Sequence, residues 1–297
     1  VERSNIGVLE CGDTMSAQLF YPATTASSAD ASVAVTPELA GWGYSGLVVF
    51  TLQEGDSRVI TTGDDEMAVL PLSGSCRVEV EHHAFDVDGR PGVFEGIAGF
   101  AYLPIDAEAR ITGTGEIALC TARARRRIDP YVVRAADIPV EIRGGGIGTR
   151  QINNFLSADV FEADRLICVE VITPDGNWSS YPPHKHDEFT HEEVALEEIY
   201  YFRISGPVGG TGLFSCYTLD GSIDETVTVR DGDLYLVPRG YHGPSVPTPG
   251  HHMYFLNVMA GPAEARVWKF TDDPTHTWAR SMLDAQPPDS RLPLTSA

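Results

Sequence analysis

Four residues in the second half of the chain have the types and spacing of a metal-ligand set. His184 and His186 stand two apart in Tyr181-Pro182-Pro183-His184-Lys185-His186-Asp187. Glu198 opens the apolar run Ile199 to Ile204, and His242 closes Val237-Pro238-Arg239-Gly240-Tyr241-His242. Imidazole and carboxylate together suit Zn, Mn, Fe, Co or Ni, and three His with one Glu leave one or two coordination positions open. The cofactor these residues predict is one divalent ion per chain, held where it can polarise a substrate oxygen. No residue identifies itself from sequence as the catalytic base.

Each ligand belongs to a segment that reads as a strand. Residues two apart in a strand share a face, so His184 and His186 point one way and Lys185 the other, toward an ion pair or the surface. The run after Glu198 is aromatic and β-branched, and Gly206 ends it. Asp231-Gly232 is a turn signal before Leu234 to Val237, and Pro238 and Gly240 stop that strand just before His242. These spacings resemble the two motifs of the cupin superfamily, small β-barrels with a His/His/Glu/His metal site. The gap from His186 to Glu198 is longer than the pattern usually has. Glu197, Glu192 and Glu193 are therefore alternatives for the carboxylate, with Glu198 preferred because the strand follows it.

Composition narrows the partners. The 297 residues include 21 basic and 42 acidic side chains, a net charge of −21, which disfavours nucleic acid and anionic membranes. The five cysteines, Cys11, Cys76, Cys120, Cys168 and Cys216, are odd in number and contain no CxxC. They read as reduced thiols of a cytoplasmic protein. No signal-peptide pattern or long apolar run is present, so neither export nor membrane spanning is expected.

The pattern is all-β with little helix. In the first half, strands are expected at 47–52, 59–61, 67–72, 76–80, 84–87, 101–103 and 116–120, with turn signals such as Glu54-Gly55 and Asp88-Gly89 between them. Such spacing predicts sandwiches or barrels. Glu66 to Gly74 aligns without a gap on Glu198 to Gly206, and Ala101-Tyr102-Leu103-Pro104 on Tyr235-Leu236-Val237-Pro238. The chain thus reads as a bicupin of two jelly-roll β-barrels: a degenerate, metal-free one over 1–143 and a metal-binding one over 144–297. The glycine run from Arg143 to Gly148 is the expected linker. It is not a nucleotide loop, because no βαβ alternation surrounds it.

A closer resemblance covers nearly the whole chain. Asn177 to Asp187, Leu196 to Phe202, Val237 to His242 and Leu256 to Pro262 resemble the 5-deoxyglucuronate isomerases of myo-inositol catabolism. So do Thr36 to Trp42, Gly63 to Glu66, Leu70 to Cys76 and Arg150-Gln151-Ile152-Asn153-Asn154. A sister family, the 5-keto-4-deoxyuronate isomerases of pectin breakdown, has a shorter gap between the His pair and the Glu. The resemblance implies an aldose–ketose isomerase converting 5-deoxy-D-glucuronate to 5-dehydro-2-deoxy-D-gluconate. The metal would stabilise the enediolate, and an arginine would hold the substrate carboxylate. Alternatives are the sister activity, an Fe(II) cupin dioxygenase, and a sugar-binding cupin without catalysis.

Arg150, Asn154, Arg239 and Tyr241 are the candidate substrate contacts: the first two lie in a polar cluster entering a strand, the others flank His242. Adjacent His251 and His252 cannot share a site, and at least one is expected to be solvent-exposed. His191 falls in an acidic, solvated insertion. Arg123, Arg125, Arg126 and Arg127 are expected to pair with acidic neighbours, within the chain or across a homo-oligomer interface. Residues 286–297, with Pro287, Pro288 and Pro293, read as an extended tail.

Overall fold

A computed structural model of the protein describes residues 18–206 and 209–297; Cys11 lies outside them. The described residues are mostly strand, with α-helices at Pro37–Ala40 and Thr277–Asp284. No described helix is long and apolar enough to cross a membrane.

Four sheet layers stack in the order that three apolar cores dictate. Phe50, Met67, Val69 and Leu119 meet Val78, Val87 and Ile111 inside the first half. Val169, Tyr200, Phe202 and Phe255 meet Phe214, Cys216 and Val229 inside the second. Between the halves, the other face of each inner sheet packs Leu47, Ala68, Leu70 and Cys120 against Cys168, Ile199, Tyr201, Leu256 and Val258. The inner sheets are therefore buried on both faces, and their strands read as continuous apolar runs such as Ile167–Thr173 and Met253–Ala260. None of the sheets closes into a barrel among the described residues.

Every strand expected in the first half is present, several of them longer. Residues 116–120 are part of Glu108–Arg123, which pairs with Ser45–Leu52 and Asp65–Pro71 along one half and with Ser57–Thr61 and Gly74–Val80 along the other. It passes from inner to outer sheet at Gly113 and Gly115, whose φ values are +148° and +102°. A Cβ at either would stand 2.2 Å from a carbonyl oxygen of the neighbouring strand, so only glycine can turn this corner.

The internal repeat is real, but its register is one residue away from the ungapped alignment. Met67 lies opposite Leu103, just before Pro104, as Glu198 lies opposite Val237, just before Pro238. Glu66 thus corresponds to Glu197, and the apolar Met67 takes the place of Glu198. Contacts agree. Glu66 accepts the backbone N–H groups of Asp164, Arg165 and Leu166 at 2.6–2.8 Å. Glu197 accepts those of Gly43, Tyr44 and Ser45 at 2.7–3.0 Å. Each half thus holds the other by a carboxylate fixed on peptide N–H groups.

The glycine run is not a linker between sheets. Val140–Arg143 pairs with Arg150–Leu156, so residues 144–149 are a hairpin connection containing a 3₁₀ turn at Gly146–Gly148. Tyr131–Val133 still pairs within the first half. The final residues form no free tail. The carbonyl of Pro287 accepts Gly146 N at 2.9 Å, that of Ser296 accepts Ile97 N at 3.1 Å, and Thr295 is buried against Gln151.

Candidate metal centre

Three strands bring the histidines together. His184–Lys185 pairs on one side with Tyr241–Pro247, His184 opposite His242, and on the other with Thr271–Asp272. The His184 and His242 rings are 4.4 Å apart, and His186 and His242 are 4.8 Å apart between centroids. One ring nitrogen from each of the three lies within 4.8 Å of the others, a spacing that can hold a metal ion. Glu198 reaches the same point from the facing sheet, where Glu197–Ile204 pairs with Leu234–Val237 and Met253–Ala260. Gly243 at φ +98° lets the backbone beyond His242 run against Ser180, whose carbonyl a Cβ would meet at 2.0 Å.

The long gap before Glu198 closes on itself. Leu196 N donates to His186 O at 2.8 Å, and His186 Nδ1 donates to Leu196 O at 3.1 Å. The two ends of the insertion therefore meet, and its length has no effect on the separation of His186 and Glu198. Buried Glu193 anchors the loop: it accepts Asp187 N and Glu188 N at 2.7 and 3.0 Å and binds Lys185 Nζ at 2.9 Å. Lys185 faces away from the histidines, as alternation requires, and also binds Asp187 at 2.7 Å. Glu193 and Glu197 are thereby occupied elsewhere and exposed Glu192 lies outside the cluster, leaving Glu198 as the carboxylate at the histidines.

Donor chemistry fits a cation. His186 Nδ1 and His242 Nδ1 each face a backbone carbonyl at 3.1 Å, so each carries its hydrogen there and turns an Nε2 lone pair inward. Those lone pairs stand 2.9 and 3.1 Å from Glu198 Oε2. The arrangement is one of acceptors facing acceptors, and buried His242 Nε2 has no hydrogen-bond partner. Burial alone would lower the His186 pKa, but the contact with Glu198 outweighs it and raises the value. A divalent ion placed among these acceptors would satisfy them together. Burial also opposes charge on Glu198, yet the two imidazoles bring its carboxyl down to about 2. Burial, reinforced by His242 and His186, pushes His184 well below the usual imidazole value and keeps it a neutral ligand.

A narrow cavity opens on the cluster, lined by His184, Glu198, Tyr200, Asn257, Ser179, Ser180, Tyr181 and three arginines, Arg143, Arg150 and Arg280. Arg143 is held by Glu141 at 2.7 Å and Arg280 by Asp272 at 2.5–2.6 Å. Arg150 donates to Gly148 O at 3.1 Å and has no carboxylate partner among the described residues. Burial, together with the charges of Arg143 and Arg280, lowers its guanidinium to about 10. At neutral pH it remains a part-buried cation that a ligand's carboxylate can satisfy.

The other candidate contacts are not there. Tyr241 stacks on Tyr217 at 5.6 Å, on the face opposite His242 because neighbours in a strand alternate. Arg239 points to the surface and binds Ser222 Oγ at 2.9 Å. Asn154 lies on the Arg150 strand beyond the cavity wall. Neither His251 nor His252 is fully exposed: each is half-buried, bonded to Ser205 O and Asp175 N respectively. His191 is exposed, and the arginine run pairs within the chain, Arg123 with Asp65, Arg126 with Glu162 and Arg127 with Glu81. Sequence reasoning missed Arg143, Arg280, Trp268 and Phe270. Only Arg143 had a signal, its closeness to Arg150 across a glycine turn.

The match to known proteins is broad. Residues 19–279 match the KduI/IolB family. The chain belongs to that family. A KduI/IolB relative curated as 5-deoxy-glucuronate isomerase from Geobacillus thermodenitrificans is 43% identical over 83% of this chain and 90% of its own length. Another of the same name from Geobacillus kaustophilus is 40% identical over 88% of this chain and 95% of its own. The crystal structure of an IolB-like protein from Salmonella typhimurium superposes with a TM-score of 0.82 at 35% identity, covering 88% of this chain and 99% of that one. The fold extends beyond the family: an oxalate decarboxylase from Lactobacillus farciminis gives a TM-score of 0.61 at 11% identity, over 88% of this chain and 90% of its own.

Proposed function

We propose that the protein is a metal-dependent aldose–ketose isomerase that converts 5-deoxy-D-glucuronate to 5-dehydro-2-deoxy-D-gluconate. The observation that carries this reading is a largely buried three-His cluster, with Glu198 among it, lining one cavity with Arg150, which no carboxylate among the described residues pairs. The identity to curated 5-deoxy-glucuronate isomerases over most of the chain supplies the substrate. His184, His186, Glu198 and His242 would hold one divalent ion, of which Zn, Mn, Ni and Fe all suit the donors. We place the ligands in the second of two cupin-like units, with the chain crossing between them in 134–139, after the last first-half strand and before Val140–Arg143.

When bound, the ion would act as a Lewis acid on the C1 and C2 oxygens, making the C2 hydrogen acidic. The protein's groups do the rest. Arg150 takes the substrate carboxylate and fixes which end of the sugar reaches the histidines. Asn257 and Ser179 line the floor and can bind hydroxyls. Burial, with Glu198 beside it, keeps the Tyr200 phenol protonated, so this group can donate a hydrogen to an oxygen but cannot abstract one from carbon. The apolar walls Ile152, Val171 and Phe255 exclude bulk water while the proton moves from C2 to C1.

Turnover in D2O tests the reading. Metal-loaded protein should convert 5-deoxy-D-glucuronate, followed by NMR, with solvent deuterium appearing at C6 of the ketose product. No conversion would refute the substrate assignment, and oxygen consumption would point to the dioxygenase instead. Conversion with the original hydrogen fully retained would replace proton transfer by a hydride shift.

A further inference from the structure

The reaction cavity has an outer neighbour. A larger open basin of about 580 Å³ is lined by Arg143, Ala158, Asp159, Arg266, Val267, Trp268, Lys269, Phe270 and Arg280. Arg143, Trp268, Phe270 and Arg280 line both spaces, so they form the threshold between basin and cavity. Each threshold arginine lies over a threshold ring: Arg143 is 5.9 Å from the Trp268 centroid, and Arg280 is 5.8 Å from that of Phe270.

The basin lacks the acid excess of the chain. Four of its lining residues are cations and one, Asp159, is an acid. Glu141 pairs with Arg143, Asp272 with Arg280, and Asp284 lies within electrostatic reach of Arg150 and Arg280. Arg266 and Lys269 bind backbone carbonyls instead of carboxylates, and Arg150 waits behind the threshold. Counting all of these groups, cations still outnumber carboxylates here, whereas over the chain 42 acids face 21 bases. A chain of net charge −21 repels an anion on average, and this basin is a place where acids do not outnumber cations.

We infer that this basin is the port through which the anionic sugar acid reaches the metal cavity, and that Lys269 and the threshold arginines Arg143 and Arg280 draw it in ahead of neutral sugars. The inference rests on the proposed isomerase reading for the identity of the anion, and on the lining residues alone for the route. Lys269 is exposed, and among the described residues its ammonium binds only the carbonyl of His191 at 3.2 Å, so it can be reversed in charge without unpairing a described carboxylate.

The test compares Lys269→Glu with Arg110→Glu, an exposed position on the outer sheet of the first half that makes the same change in net charge. At low ionic strength, kcat/KM of Lys269→Glu for 5-deoxy-D-glucuronate should fall roughly three- to tenfold, and the two variants should converge as salt screens the field. Arg110→Glu should stay within twofold of the wild type. Equal behaviour of the two variants would overturn the port. A second measurement does not need turnover. Iodide quenching of Trp268, read as the difference between wild type and Trp268→Phe, reports the local anion concentration at the threshold. Lys269→Glu should reduce it while quenching by neutral acrylamide holds. An unchanged iodide response refutes the port, whereas a wild type that shows the quenching but no turnover refutes the substrate and leaves the port standing.

Discussion

At the scale of single residues, the partner each side chain meets separates the candidate ligands from their neighbours. His184 and His186 share a face through the two-residue period of a strand, and His242 follows the Pro and Gly that stop the preceding one. Glu198 could not be separated from Glu197 by sequence, because adjacent carboxylates at a strand's start differ only in which face they take. The structure separates them by partner: Glu198 faces two imidazoles, and Glu197 faces three peptide N–H groups. Glu198→Gln should therefore lose the bound metal and Glu197→Gln should retain it, read by metal analysis of the purified variants. Arg150→Gln removes the unpaired cation and leaves the ligands in place. Its kcat/KM should drop about 100-fold, mostly through KM, since the carboxylate contact is the same in ground and transition states. A loss confined to kcat would place Arg150 in the chemistry instead.

At the scale of elements, the strands followed from alternation and turn chemistry, and their partners did not. The repeat was detectable because both copies keep a carboxylate, an apolar strand and a closing Ser-Gly. Its register slipped because the second copy is one residue longer between Glu197 and Gly206 than the first between Glu66 and Gly74. Sequence similarity chose the gapless fit, whereas burial fixes the other one: a carboxylate at the position of Met67 would sit inside the first core. The glycine run misled for a similar reason. Flexible composition marks a tight hairpin as readily as a linker, and only the pairing of Val140–Arg143 with Arg150–Leu156 distinguishes them. The reciprocal carboxylates give this scale its prediction. Glu66 is fully buried and accepts the Tyr102 hydroxyl besides its three N–H groups. Glu66→Gln turns one acceptor into a donor facing donors, at roughly 3 kcal/mol. Thermal denaturation should show a drop of about 5–10 °C with metal content unchanged.

At the scale of the whole molecule, a chain of net charge −21 folds around a His cluster that could hold a metal ion, with three arginines lining the cavity beside it. The all-β class came from turn spacing, and the metal half from its histidines. The layered packing of two-faced inner sheets was not visible, because a strand buried on both faces loses the alternation that reports direction. The wall of the site was hidden for a different reason: Arg280 comes from the helix Thr277–Asp284 and Trp268 from a segment without regular structure, elements whose docking depends on the finished sheets. The central claim is that catalysis resides in the ion held by His184, His186, Glu198 and His242, and it is tested most directly by activity against metal content. Protein stripped with a chelator should be inactive toward 5-deoxy-D-glucuronate and should recover in proportion to added divalent ion, saturating at about one equivalent per chain, while His242→Ala should neither bind the ion nor recover. Full turnover by verified metal-free protein, or full metal occupancy and activity in His242→Ala, would contradict the account.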